Sequence, residues 1–316
     1  MPPPSRQAPL PPVHSDLRIL RDTLVARGEF RERRLAELLT DYNEKFPAAE
    51  AAATAVIDSL QTVLTVPANG DLLASFIANK EQYSTLRSLP ASPISEDDLE
   101  TLLNASVNRT AMRRDQALAD GLSSLLASCL DPKRFPWVAE GREPSPDELA
   151  AAKLATSVLT AVRAVEAGRR GDEREALEGA VEALLTSIGF TLAQRRRDGI
   201  HQLSHAPAPG TFMKTCTLGE HNADLVIGLR DGRILALECK ASNSEVNGFK
   251  RLNKEVVVDA GDWYRRFGQS NVVAAAALRG VFKPANIAQA QGQQVFIFWW
   301  HRLGALKAFL NEAVPR

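Results

Sequence analysis

Asp224, Glu238 and Lys240 are the residues of this chain whose types and spacing could carry out hydrolytic chemistry. They lie in Asp224-Leu-Val-Ile-Gly-Leu-Arg-Asp-Gly-Arg-Ile-Leu-Ala-Leu-Glu-Cys-Lys240, where two apolar runs flank an Asp-Gly pair. That pattern is a strong local signal for a β-hairpin. Side chains two apart on a strand share a face, so Glu238 and Lys240 point one way and Cys239 points the other, into packing. Two carboxylates on adjacent strands can hold Mg²⁺, a hard cation that prefers oxygen ligands and keeps several waters. Such a cation polarises a phosphate and helps to generate hydroxide. A lysine beside it can position the attacking water or balance charge. The chemistry these residues suit is phosphodiester cleavage. With cations alongside, Glu238 is expected to have a low pKa and Lys240 to stay charged.

The register of the hairpin decides whether the two acids meet. A two-residue turn at Asp231-Gly232 puts Asp224 opposite Cys239, with its carboxylate turned away from Glu238. A three-residue loop, Arg230-Asp231-Gly232 with Gly232 left-handed, shifts the register by one and puts Asp224 opposite Glu238. The sequence allows either, and the metal chemistry requires the second. The competing reading is a salt-bridged surface edge. Against it, both strands are apolar on both faces, which marks a central hairpin whose terminal charges need a reason.

A third acid can be placed from a helix. The run 175–188 has an apolar stripe of Leu177, Val181, Leu184, Leu185 and Ile188. Glu178 lies at the edge of that stripe, better placed than Glu182 to reach the end of the sheet. After Lys240 comes a polar run, Ser242, Asn243, Ser244 and Asn247, leading into a helix N-terminus. Lys250, Arg251 and Lys254 follow, off a stripe of Phe249, Val256, Ala260 and Trp263. Short donors and a basic face suit phosphate and base-edge contacts, with helix capping and a solvated face as the plainer reading. Arg195-Arg-Arg197 is a second basic candidate.

The elements that position these residues follow from periodicity. The 316 residues suffice for one large or two ordinary domains. Helical spacing predicts helices over about 15–42, 48–64, 71–86, 95 onward, 110–130 and 145–167, so the first 140 residues contain no convincing strand. A charged break, Gly168-Arg-Arg-Gly171-Asp, separates the next helix, which Gly189 is placed to cap. Beyond it the order is a strand at 190–194, a long polar loop, the hairpin, a helix over 246–267, a strand at 272–278 and a turn region around Pro284. A strand at 295–300 and a last helix over 303–310 complete the chain. This is an α/β (α+β) fold with a mixed central sheet flanked by helices and preceded by an all-helical region. The expected division is a flexible, proline-rich arm at 1–13, a helical region at 14–144 and a catalytic domain at 145–316.

Composition excludes several classes. Lys+Arg and Asp+Glu are 38 each, so bulk charge attracts neither nucleic acid nor membrane, and an anion-binding surface must be local. Three scattered cysteines (Cys129, Cys216, Cys239) argue against a disulfide framework or a zinc ribbon. No apolar run reaches membrane-spanning length and no secretory h-region opens the chain, which predicts a cytoplasmic protein. There is no Walker motif, GxGxxG or nucleophile elbow, so no nucleotide cofactor is expected. His201-x-x-x-His205 lies in a loop without acidic or cysteine partners in pattern.

The order of helix acid, Asp224 and Glu238-x-Lys240 resembles the PD-(D/E)XK nuclease superfamily, with Ala223 standing where the motif has Pro. The run Glu238-Cys-Lys-Ala-Ser-Asn-Ser-Glu-Val-Asn-Gly-Phe-Lys-Arg-Leu-Asn253 more specifically resembles type II restriction endonucleases of the XamI kind. The resemblance is clear over the C-terminal half. It implies Mg²⁺-dependent cleavage of double-stranded DNA at a short palindromic site by a homodimer. Asp224, Glu238, Lys240 and Glu178 would then be catalytic, with Asp224 and Glu238 as metal ligands. The alternatives are a repair or junction-cleaving nuclease on the same core, or a DNA-binding protein without catalysis.

Overall fold

The computed structural model describes residues 8–314. They form two compact units, 36–169 and 8–35 with 170–314. Part of the expected arm, 1–7, lies outside the described residues. Residues 8–13 have no regular structure, yet the Pro9 carbonyl accepts a hydrogen bond from Arg233 Nη2 at 2.6 Å and Pro11 is buried.

The helical unit contains most of α1 (Asp16–Asp58), then α2 (Leu60–Leu64), α3 (Gly70–Ala78), α4 (Lys80–Leu86), α5 (Glu96–Leu103), α6 (Arg109–Arg114), α7 (Gln116–Cys129), α8 (Pro136–Ala139) and the first part of α9 (Pro146–Ser187). Side-chain caps divide these helices: Asn69, Asn79, Ser95, Asn108 and Asp115 each accept a backbone N–H in the first turn that follows. Two expected breaks are absent. Pro47 sits inside the 43-residue α1, and α9 passes without interruption through Gly168 and Gly171. At the latter, Glu173 is nine-tenths buried and takes hydrogen bonds from Arg33 and Arg34 of α1, so local glycine propensity is overridden by tertiary ion pairs. The start of α9 follows the sequence. The Ser145 hydroxyl accepts from Glu148 N–H while Glu148 Oε2 accepts from Ser145 N–H, a reciprocal capping box.

The second unit is a six-stranded mixed sheet in the order β1 (Thr191–Leu192), β2 (Thr211–Leu218), β3 (His221–Gly228), β4 (Ile234–Ser242), β5 (Val272–Gly280) and β6 (Phe296–Trp299). The β2–β3 and β3–β4 pairs are antiparallel and the remaining pairs parallel. Leu177, Val181 and Leu185 of α9 and Leu306 and Leu310 of α13 (Gly304–Glu312) cover one face over Leu225, Leu235, Leu237 and Cys239. The other face, with Val226, Ala236, Ala274 and Ala276, packs on Leu252, Val256, Ala260 and Trp263. A sheet covered on both sides explains why β4 and β5 read as continuous apolar runs rather than alternating ones.

Three expectations change here. The polar loop after β1 contains β2, whose Lys-Thr-Cys-Thr composition hid its pairing role. The turn region around Pro284 is helix α12 (Pro284–Gly292), with proline at its first position, where no N–H is needed. The single helix expected over 246–267 is α10 (Glu245–Phe249), a π-helical stretch Lys250–Val256 and α11 (Val257–Phe267). The wider π turns rotate the buried stripe, so Leu252 is inside and Phe249 is 37% exposed.

Candidate active site

The β3–β4 register is set by the loop Arg230-Asp231-Gly232. Leu229 and Arg233 close it, with Leu229 N–H donating to the Arg233 carbonyl at 2.8 Å, and Gly232 lies at φ +90°, where an L side chain is strained. Asp231 holds the turn by accepting from the Arg233 backbone and guanidinium. From there the ladder runs Gly228–Ile234, Ile227–Leu235, Val226–Ala236, Leu225–Leu237. One step further, Asp224 comes opposite Glu238. This is the three-residue register.

The meeting is not a plain face-to-face pair. The β2–β3 ladder skips Asp224 and the residue across from it, Thr215, whose φ is +46°. Side-chain alternation breaks at the same place, since Ala223 and Val226 both pack against the same cluster. Asp224 therefore leaves the regular pleat at the point where β3 and β4 part. Its Oδ2 accepts the Cys239 N–H at 2.8 Å, and its Oδ1 accepts from Arg174 Nη2 of α9 at 2.9 Å. Sparsely populated backbone angles of this kind cluster at functional sites, where neighbouring structure holds them.

Glu238 is 2% exposed. Lys240 Nζ lies 2.6 Å from its Oε2, while its Oε1 is buried with no hydrogen-bond partner. The Asp224 carboxylate is near enough to act on it as a like charge. The expected low pKa is corrected: burial pushes Glu238 up to about 8, the Lys240 charge opposes this, and the Asp224 carboxylate adds to it. One lysine does not compensate for two carboxylates taken out of water at one point. For Lys240 burial works downward, but the Glu238 charge and hydrogen bond prevail and raise it, so it stays an ammonium. Glu255, from the π-helical stretch, approaches Lys240 at 3.9 Å.

Glu178 reaches this end of the sheet through Arg174, whose Nε donates to Glu178 Oε1 at 2.5 Å. Glu182 instead pairs with Lys214 of β2. Sequence reasoning missed Arg174. Its i,i+4 spacing to Glu178 was the available signal, but the presumed break at Gly171 placed it outside the helix. It also missed Asp259 of α11, which pairs with His221 Nδ1 at 2.8 Å. Cys239 faces the α9 side, 2% exposed, its thiol raised well above its ordinary value by burial.

The polar run divides in two. Ser242 is buried and donates to the Ser244 carbonyl, and Arg251 donates to the Ala241 carbonyl, so both hold the turn from β4 into α10. Ser244 caps α10 by accepting from Asn247 N–H. Asn243, Asn247 and Lys250 are exposed, Asn247 donating to Asn243 Oδ1. Arg195, Arg196 and Arg197 are exposed as well. Trp299 is buried, and Trp300 carries the Arg279 guanidinium 4.1 Å from its ring centroid.

Among the described residues no group of three or more His, Cys, Asp or Glu side chains converges as a metal cage. Two carboxylates suffice for Mg²⁺, which fills its remaining positions with water, and the orphaned Glu238 Oε1 is an oxygen donor without a partner. The donor set fits a hard divalent cation. No helix among the described residues is long and apolar enough to cross a membrane.

A mixed sheet whose central hairpin gathers two acids and a lysine at one end is the architecture expected of a metal-assisted nuclease. The chain matches the XamI restriction endonuclease family over residues 70–299. It is 31% identical over 275 residues to a protein named type II restriction enzyme XamI from Xanthomonas campestris pv. amaranthicola, covering 85% of this chain and 97% of that one. The chain belongs to the XamI restriction endonuclease family, and is a site-specific endonuclease. The match begins in α3, so it takes in most of the helical unit as well as the sheet. No solved structure matches.

Proposed function

We propose that this protein is a type II restriction endonuclease that makes Mg²⁺-dependent double-strand breaks at a short palindromic DNA site, acting as a homodimer without a nucleotide cofactor. The observation that carries the metal reading is the pair Asp224 and Glu238, brought together where β3 and β4 part, with Glu238 Oε1 buried and unpartnered beside Lys240. An orphaned buried carboxylate oxygen is costly in a structural ion pair and useful in a cation site.

Asp224 and Glu238 would hold the cation, which when bound supplies charge stabilisation at the phosphate and lowers the pKa of a coordinated water. Lys240, fixed by Glu238, directs its ammonium toward the attacked phosphate and the incoming water. Glu178 assists from α9 through Arg174. Asn243, Ser244, Asn247 and Lys250 would touch DNA. Ser242 and Arg251 would position them by securing the β4–α10 turn. The helical unit would serve in dimerisation or as a DNA clamp.

The test is digestion of plasmid DNA with and without Mg²⁺. Discrete bands that require Mg²⁺ are expected. Smears or structure-selective nicks would indicate a repair or junction nuclease, and no cleavage would indicate DNA binding alone.

A further inference from the structure

The two acids of the site are not equally open to a cation. Asp224 has one oxygen taken by the Cys239 N–H and the other by Arg174 Nη2. Arg174 also holds Glu178, so a single guanidinium spans two carboxylates whose side chains are 9% and 15% exposed. The Arg174 side chain itself is 51% exposed, with solvent to retreat into. Its backbone is fixed independently. The neighbouring Glu173 is clamped by Arg33 and Arg34, which anchors this turn of α9 whatever the Arg174 side chain does.

We infer that Arg174 is an internal counter-ion that occupies the divalent cation's place on Asp224 and gives that place up when the metal binds. This rests on the metal reading proposed above. A positive charge within a few ångströms of a carboxylate stabilises its ionised form without coordinating it. Arg174 thus holds Asp224 and Glu178 in place in the metal-free protein. Its cost is competition, because the cation must displace it to reach Asp224 Oδ1. Glu238 Oε1, which has no hydrogen-bond partner, needs no such displacement. Arg174 is a positioning residue that sets how tightly the site loads.

The sign of one measurement separates this role from simple structural support. The full-length protein is titrated with Mg²⁺ alone, without DNA, by calorimetry. Arg174→Met keeps the aliphatic stem and removes the competing charge, so its Mg²⁺ affinity should rise on the order of tenfold. A merely supporting arginine predicts the reverse, since its loss would leave the carboxylates misplaced and weaken binding. Unchanged or weaker Mg²⁺ binding by Arg174→Met, in wild-type-like secondary structure, overturns the inference. Arg174→Lys, whose single ammonium cannot span both carboxylates, should bind with intermediate affinity, and wild-type affinity there also overturns it. A wild-type protein that binds no Mg²⁺ removes the metal reading itself, which is a distinguishable failure.

Discussion

Asp224 and Glu238 lie one step beyond the last paired residues of the β3–β4 hairpin, and they are held in opposite ways. Asp224 has both oxygens engaged, one by a backbone N–H and one by a guanidinium, whereas Glu238 keeps one buried oxygen with no donor. The first acid is fixed in place, and the second is left with unused capacity. That asymmetry is what the proposed cation site rests on, since a closed ion-pair network would leave no oxygen unpartnered.

Cation affinity should therefore depend on pH through Glu238. Its folded pKa, raised by burial to about 8, exceeds its ordinary carboxylate value, so the folded metal-free protein binds the extra proton between the two. Stability attributable to this group is intact at acid pH and is lost as pH climbs toward 8, by on the order of 1 kcal/mol per pH unit at most. A cation must expel that proton. Mg²⁺ binding measured from pH 6 to 9 should tighten up to about pH 8 and then level off, with proton release below that point. Flat affinity across pH 6 to 8 would contradict this account of Glu238.

The loop that sets the register offers a second test. Gly232 lies at φ +90° with open space where a Cβ would project, so any penalty for replacing it is conformational rather than steric. Gly232→Val should cost roughly 1 to 2 kcal/mol of stability, while Gly232→Asn should cost clearly less. Thermal unfolding of the two variants checks this. Equal stabilities would mean that the loop does not depend on a left-handed residue.

Lys250 and Arg251 are neighbours with different expected effects. Lys250 is exposed, and Lys250→Ala should weaken DNA binding across all sequences and reduce the salt slope of binding by about 1, leaving stability unchanged. Arg251 donates to the Ala241 carbonyl at the end of β4, so Arg251→Ala should lower thermal stability. Binding measured at several salt concentrations, alongside melting temperatures, separates them. The reverse pattern would reassign the two.

Much of this was legible in the residues themselves. The hairpin followed from strand alternation and the Asp-Gly signal, which left two registers open, and the three-residue one that brings Asp224 to Glu238 was the one the metal chemistry required. The start of α9 followed from Ser145-Pro-Asp-Glu148, an N-cap with proline at the first helical position and acids in the first turn. What was not legible depended on distant partners. The continuity of α9 through Gly168 and Gly171 coincides with ion pairs that α1 makes to Glu173, and no local pattern reports these. The high pKa of Glu238 reflects burial at the middle of a six-stranded sheet, which the visible cation Lys240 concealed. Arg174 was hidden by the first of these errors. The exit of Asp224 from the pleat at Thr215 has no sequence signature, since threonine rarely adopts positive φ.

The most direct measurement is Mg²⁺-dependent cleavage of plasmid DNA by Asp224→Ala and Lys240→Ala, each first checked for native secondary structure. Both variants should lose cleavage by roughly a hundredfold or more, as expected when charge stabilisation at the phosphate is removed. Cleavage at the wild-type rate by either variant would contradict the assignment of the hairpin end as the active site.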